Sequence, residues 1–115
     1  MATLTSHTLN GTDGTHAGEV PVTLTNLTTS TVTFTAQIDE GGRLSENIDA
    51  KDIDPDAMYE LVFDTAGYWA ARNMPAAVTQ IALRFAMTDP DGAYHMPVIL
   101  NPNSYSMWTS RCWTA

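Results

Sequence analysis

The chain has 115 residues, a formal net charge of -8 at pH 7, a hydrophobic share of 43% and a charged share of 16%. A chain of this length and composition is expected to form one domain, residues 1–115, around a single core. The acidic balance argues against a nucleic-acid-binding protein, because such proteins need a basic patch to displace counterions from phosphate. It also argues against binding to an anionic membrane surface.

Three further features bear on where the protein works. No apolar run approaches the length needed to cross a bilayer, and the start "MATLTSHTLN" lacks the apolar centre of a secretion signal. The chain has one cysteine, Cys112, which therefore has no partner for an internal disulfide. These features predict a cytoplasmic protein.

The first half of the chain has the pattern of β-structure. The stretches "VPVTLT" and "TVTFTAQI" alternate apolar and polar side chains, which is typical of half-buried strands, and "NLTTST" joins them as a hairpin. The next stretch, "DEGGR", predicts a turn, because its two glycines tolerate positive φ. A polar loop, "KDIDPDA", then leads into a strand, "MYELVF".

One segment in the second half breaks the alternation. The stretch "DTAGYWAARNMP" offers Asp64 or Thr65 as an N-cap and ends before Pro75, which predicts one helix of two or three turns. The stretches "TQIALRFAMT" and "YHMPVIL" return to strand on either side of the "DPDG" turn, and the tail alternates again. Roughly seven or eight short strands with one helix predict an all-β, antiparallel sandwich.

Few residues have chemistry that stands out. His7 and His95 fall on predicted strands, where composition alone favours an ordinary surface histidine over a catalyst. His16 in the loop "NGTDGTHAG" is expected to be solvated, and Arg43 after the glycine turn is by itself a surface charge. The acidic stretch "DAKDIDPDA" lacks EF-hand spacing, and no metal-binding or nucleophile motif is present in the sequence. Composition and spacing therefore indicate an acidic β-sandwich without a function.

Four stretches together resemble the transthyretin-like family, whose enzymatic members are 5-hydroxyisourate hydrolases. They are "LTSHTLN", "DEGGR", "YELVFDTAGYWAARNMP" and "FAMTDPDGAYHMPVILNP", and they agree with the family in order and spacing from about Leu4 to Met107. The resemblance implies a prealbumin-like sandwich of two four-stranded antiparallel sheets with one short helix. It also implies a homotetramer with active sites at the dimer–dimer interface.

Carried over by position, the resemblance places His7, Arg43 and His95 on the family's catalytic or substrate-binding positions. Opening a cyclic amide requires a water to lose a proton and a carbonyl oxygen to be stabilised as charge develops. Neutral imidazoles suit the first task, and a guanidinium suits the second. The resemblance therefore implies a hydrolase acting on a small purine-derived heterocycle, with no cofactor and no required metal.

The tail departs from the family, whose hydrolases end in Tyr-Arg-Gly-Ser. The residues that fall on these four positions, and that are the expected substrate contacts, are Trp108, Thr109, Ser110 and Arg111. None matches, although Arg111 is a candidate replacement for the guanidinium missing at Thr109. Two other positions differ: Ala93 and His16 stand where the hydrolases often have a histidine and a proline. Cys112 is expected to be a structural thiol rather than a nucleophile.

Three functions stay open at this point. The first is a 5-hydroxyisourate hydrolase with a variant tail. The second is a repurposed enzyme, a hydrolase, isomerase or cyclase, that applies the same three residues to a different nitrogen heterocycle in a biosynthetic pathway. The third is a non-catalytic small-molecule binding protein, as transthyretin itself is. The retained histidines and arginine favour catalysis, whereas the altered tail leaves the substrate open.

Overall fold

The computed structural model describes residues 1–110, so Arg111 and Cys112 lie outside the described residues. Within 1–110 the chain forms eight strands: β1 (Ala2–Asn10), β2 (Pro21–Asn26), β3 (Thr31–Gln37), β4 (Arg43–Ile48), β5 (Tyr59–Asp64), β6 (Gln80–Phe85), β7 (Ala93–Leu100) and β8 (Tyr105–Met107). One α-helix, α1 (Ala66–Ala71), follows β5, and a single 3-10 turn covers Ala50–Asp52. None of the helices in this range is long and apolar enough to span a membrane.

The helix begins at the predicted place but is shorter than expected. Thr65 is its N-cap, as the sequence suggested, yet its six residues make fewer than two turns. Asn73 adopts a positive φ of 55°, the left-handed conformation that commonly ends helices, so the helix stops before Pro75 comes into play.

The strands form two sheets, with the orders β4-β1-β7-β8 and β3-β2-β5-β6. The predicted sandwich of two four-stranded sheets is therefore confirmed. One detail is a correction: β1 and β7 run parallel, whereas the sequence predicted wholly antiparallel sheets. Side chains alternate with the same period in parallel and antiparallel strands, so the pattern of apolar residues does not reveal strand direction.

The core lies between the two sheets and is filled by every second residue of the central strands. Its largest fully buried side chains include Leu4 and Met96 of the first sheet, Leu24, Leu61 and Phe63 of the second, and Trp69 of the helix. In β1 buried and half-buried residues alternate without exception over nine positions. The half-buried set, to which His7 belongs, consequently points to the outer face of the first sheet.

β1 also buries three polar side chains on its inner face, and each is hydrogen-bonded. Ser6 donates to a main-chain carbonyl of β7, Thr8 donates to the carbonyl of Ala17, and Asn10 Nδ2 donates to the phenolic oxygen of Tyr68 at 3.0 Å. Buried polar groups are stable only when paired in this way. These bonds fix β1 to β7, to the following loop and to the helix.

Replacing Tyr68 by Phe is expected to lower the free energy of unfolding by about 1–3 kcal/mol, because Asn10 Nδ2 then loses its acceptor in a buried site. Chemical denaturation measures the change. Tyr105→Phe is the matched control: Tyr105 is 48% exposed, and its loss of a hydroxyl should change stability by less than about 0.5 kcal/mol. Equal stabilities of the two variants would contradict a structural role for the buried bond.

Candidate functional site

The outer face of the first sheet brings together the three residues predicted to carry chemistry. The strand register sets His7 beside Arg43 of β4 and beside Pro97 of β7, and it sets Thr5 beside His95. Cross-strand partners project to the same face of a sheet. His7 and His95 are two residues apart on neighbouring strands, which puts their Cα atoms roughly 8 Å from each other.

The "DEGGR" turn delivers Arg43 to this face. The Asp39 carboxylate accepts the main-chain N–H of Arg43 and that of Gly41, both at 2.9 Å. Gly42 has a φ of 77°, and a Cβ there would lie 2.6 Å from the carbonyl oxygen of Thr8. Only glycine therefore allows the turn to approach β1 this closely. As a result, Arg43 is the first residue of β4, and its exposed side chain lies beside His7 on the outer face.

His95 is held by one hydrogen bond. Its Nδ1 lies 2.7 Å from Oγ1 of Thr5 on the neighbouring strand, and the ring is half-buried. Among the described residues Nε2 of His95 has no hydrogen-bond partner. The bond orients the ring and leaves the second nitrogen available to a ligand.

His16 lies in contact with the site, which the sequence pattern did not predict. It was expected to be an isolated solvated side chain, and it is exposed, but its Nδ1 lies 2.9 Å from Nε2 of His7. The two ring centroids are 5.1 Å apart. The contact exists because the loop after β1 turns back and forms a bridge between His16 and Leu9. No local sequence pattern predicts this return of the loop.

The surroundings lower the pKa of His7 below its ordinary value of 6.5. Partial burial is the main cause, the positive charge of Arg43 adds to it, and so do His16 and His95 when they are protonated, whereas Asp39 acts in the opposite direction. Each of these positive groups disfavours a further proton on His7. His7 is therefore neutral at pH 7 and has a lone pair available to accept a proton.

The described part of the tail runs along β7 and reaches the same face. The N–H of Trp108 approaches the carbonyl of Pro97 at 3.4 Å, and the N–H of Ser110 donates to the carbonyl of His95 at 2.7 Å. Trp108 thus extends the row formed by Arg43, His7 and Pro97, and 45% of its surface is exposed.

The remaining tail residues are placed differently. Ser110 forms a bridge with His95, whereas Thr109 falls in the same register opposite Met96, whose side chain is buried in the core. Alternation along the tail consequently directs Thr109 away from the outer face. The structure brings Trp108 and Ser110 to the histidines; Thr109 is not brought there, and Arg111 lies outside the described residues.

The described side chains on this face therefore combine two imidazoles, each with one unpaired ring nitrogen, a guanidinium and an indole. Side chains of these types are chemically able to stack on and hydrogen-bond to a flat polar ring, and a neutral imidazole is able to accept a proton from water. Among residues 1–110, no group of three or more His, Cys, Asp or Glu side chains is arranged to hold a metal ion. A shallow pocket of about 200 Å³ borders the site at His16, with Glu19, Glu40 and Arg72 in its wall.

Replacing Arg43 by Gln is expected to raise the pKa of His7, because one of the positive charges that lower it is removed. As the pH is lowered, His7 then takes up its proton at a higher pH than in the wild type. Titration of the histidine ring protons by NMR measures the shift. Arg84→Gln is the control, since Arg84 pairs with Glu60 on the other sheet at 3.0 Å. Identical His7 titrations in the two variants would contradict the assigned cause.

Known proteins match this chain in sequence over more than nine-tenths of its length. The chain is 29% identical to 5-hydroxyisourate hydrolase of Pseudomonas aeruginosa, over 94% of this chain and 90% of that protein. It is 32% identical to the protein of the same name from Deinococcus radiodurans, over 91% of this chain and 92% of that protein.

Solved structures show the same architecture. A Klebsiella pneumoniae 5-hydroxyisourate hydrolase superposes with a TM-score of 0.79 at 22% identity, covering 94% of this chain and 98% of that one. An (S)-allantoin synthase superposes with a TM-score of 0.78 at 23% identity, covering 95% of this chain and 43% of that one. The family model described as "HIUase/Transthyretin family" matches residues 4–109. The chain therefore belongs to the HIUase/transthyretin family.

Proposed function

We propose that this protein is a hydrolase that opens a cyclic amide in a small purine-derived heterocycle, with 5-hydroxyisourate as its substrate. The observation that carries the proposal is the placement of His7, Arg43 and His95 on one face of one sheet, on three adjacent strands. The two bacterial relatives named 5-hydroxyisourate hydrolase, which match over nine-tenths of the chain, support this choice of substrate.

In this proposal His7 and His95 hold and activate the attacking water. A neutral imidazole accepts one proton of the water while the water oxygen forms a bond to the amide carbonyl carbon. The lowered pKa of His7 supports its part as the base, because the ring is neutral at the working pH. When the C–N bond breaks, the same proton passes to the departing ring nitrogen, so the imidazole returns to its neutral form.

Arg43 orients and polarises the heterocycle. Its guanidinium donates hydrogen bonds to the substrate's carbonyl or anionic oxygens and stabilises the charge that develops on the attacked carbonyl. Arg43 takes part in no ion pair among residues 1–110, which supports a role toward a ligand. Thr5 keeps the ring of His95 in place for the same reaction.

The proposal includes a homotetramer with the sites at the dimer–dimer interface. In one chain the site is an open sheet face, whereas ring opening benefits from a site that excludes bulk water. The half-buried apolar side chains of Leu9, Pro97 and Ile99, together with the exposed Trp108, give this face a surface suited to cover by another copy. One domain over residues 1–115 and a cytoplasmic location stay predictions from the sequence.

The decisive assay uses freshly generated 5-hydroxyisourate and measures the decrease of its ultraviolet absorbance with time. The wild type should accelerate ring opening above spontaneous decay, and His7→Asn or His95→Asn should each lower kcat/KM by about 10²- to 10⁴-fold, the range of general acid–base catalysis. Arg84→Gln, on the opposite sheet, should keep full activity. A wild type that binds purine-like heterocycles without any acceleration would instead favour the non-catalytic binding protein.

A second candidate function, action on a different nitrogen heterocycle, is favoured by one observation, the position of Trp108. Its indole stands in line with Arg43 and His7, where the resemblance expects the tyrosine of the tail signature. An indole offers a larger apolar wall than a phenol and lacks the hydroxyl. Such a wall suits a larger or more apolar ring than 5-hydroxyisourate.

Trp108→Tyr is therefore expected to shift selectivity toward smaller rings by about tenfold, the size of a single pocket contact. The measurement is competitive inhibition by xanthine and by the larger, more apolar 1,3-dimethylxanthine, expressed as the ratio of the two inhibition constants. Tyr105→Phe, an exposed aromatic on the neighbouring β8, is the control. An unchanged ratio would show that Trp108 does not select the substrate.

A further inference from the structure

His16 stands against the proposed base and has no part in the function described so far. Its Nδ1 is 2.9 Å from Nε2 of His7, with the two rings inclined by 34°. His7 is half-buried and His16 is exposed. The contact therefore joins the interior of the site to a side chain at its solvent edge.

The backbone on both sides of His16 is tied to β1, so the contact is built into the fold. The N–H of Asn10 donates to the carbonyl of Thr15 at 2.8 Å, and the N–H of Ala17 donates to the carbonyl of Thr8 at 3.0 Å. The hydroxyl of Thr8 donates in turn to the carbonyl of Ala17. These bonds fix the Cα of His16 beside β1, which leaves only the side-chain rotations to bring its ring to His7.

A hydrogen bond between two neutral imidazoles allows two arrangements, and they demand different tautomers. If Nε2–H of His7 donates, both rings carry their proton on Nε2. If Nδ1–H of His16 donates, both rings carry it on Nδ1. Free histidine prefers the Nε2–H tautomer, so the first arrangement keeps both rings in their commoner form. It also leaves Nδ1 of His7 with its lone pair, and Nδ1 has no partner among the described residues.

We propose that His16 is a positioning residue for His7: its Nδ1 accepts the Nε2–H of His7, which fixes the ring and makes Nδ1 of His7 the basic nitrogen of the site. The catalytic part rests on the proposed function, whereas the hydrogen bond does not. As Nδ1 of His7 takes a proton from water, Nε2–H keeps donating to His16, and a bond from a charged donor is stronger than a neutral one. The proton later leaves to the departing ring nitrogen, and the pair is restored.

Charged groups lie around both rings of the pair. Arg43, His95 and Asp39 influence His7, while Glu19, Glu40 and Arg72 border His16 in the shallow pocket. Charging both rings at once would leave two donors facing each other and break the bond. The pair consequently works with at most one added proton.

The first arm of the test is independent of activity. Long-range ¹⁵N–¹H NMR spectra of the wild-type protein at neutral pH should show His7 and His16 as Nε2–H tautomers. In His16→Ala the His7 signals should move to a mixture of tautomers. An Nδ1–H form of His7 in the wild type, or His7 signals that are the same in His16→Ala, would overturn the proposal.

The second arm is kinetic, with 5-hydroxyisourate as the probe. His16→Ala should lower kcat by about tenfold to a hundredfold with KM unchanged, because a positioning group supplies part of the acid–base contribution. His16→Asn, whose amide oxygen replaces the acceptor near Nδ1, should recover most of kcat. Arg84→Gln, on the opposite sheet, is the control and should keep it. An unchanged kcat in His16→Ala would overturn the catalytic part.

The two proposals fail in different ways. A wild type without turnover refutes the proposed function, while the tautomer spectra still decide whether the pair exists. A wild type with turnover and an unaffected His16→Ala variant refutes the role of His16 alone. Because His16 is exposed, neither His16→Ala nor His16→Asn should disturb folding. Circular dichroism spectra that match that of the wild type check this.

Discussion

The pairing of β1 with β4 on one side and with β7 on the other is the constraint on which the site depends. A slip of one residue would turn His7 into the core and Thr8 out to solvent, because side chains alternate with a period of two. The buried hydroxyl of Thr8 and the buried amide of Asn10 resist such a slip, since both would lose their partners. The polar residues inside the sandwich thus fix the positions of His7 and its neighbours on the outer face.

The side chains at the site are mostly basic, whereas the chain as a whole is acidic. The protein carries a net charge of -8 and only five Lys and Arg residues, yet Arg43 and three histidines lie close together at the outer face of the first sheet. Partial burial is the main cause that lowers the pKa of His7, and the nearby positive charge of Arg43 adds to it. The acidic surface as a whole disfavours nucleic acid.

The sequence pattern predicted more of the fold than of the site. Alternation located the strands, and the candidate caps at Asp64 and Thr65 located the start of the helix. The parallel direction of β7 and the early helix end at Asn73 escaped because neither changes the apolar pattern. The roles of the histidines and of Arg43 came from resemblance alone. His16 was missed since its contact depends on a loop that returns to β1, which only tertiary structure shows.

The residues of the row across the outer face differ in how many strands pair with the strand that carries them. His7 occupies the middle of the row, where strands pair on both sides and a substitution disturbs two neighbours. Arg43 and Trp108 stand toward the ends, with their side chains exposed. Substitutions of such exposed side chains cost the sheet little. In the proposed function the base therefore lies at the centre of the sheet, where a substitution disturbs two neighbouring strands, and the substrate contacts lie toward its edges, where a substitution disturbs fewer neighbours.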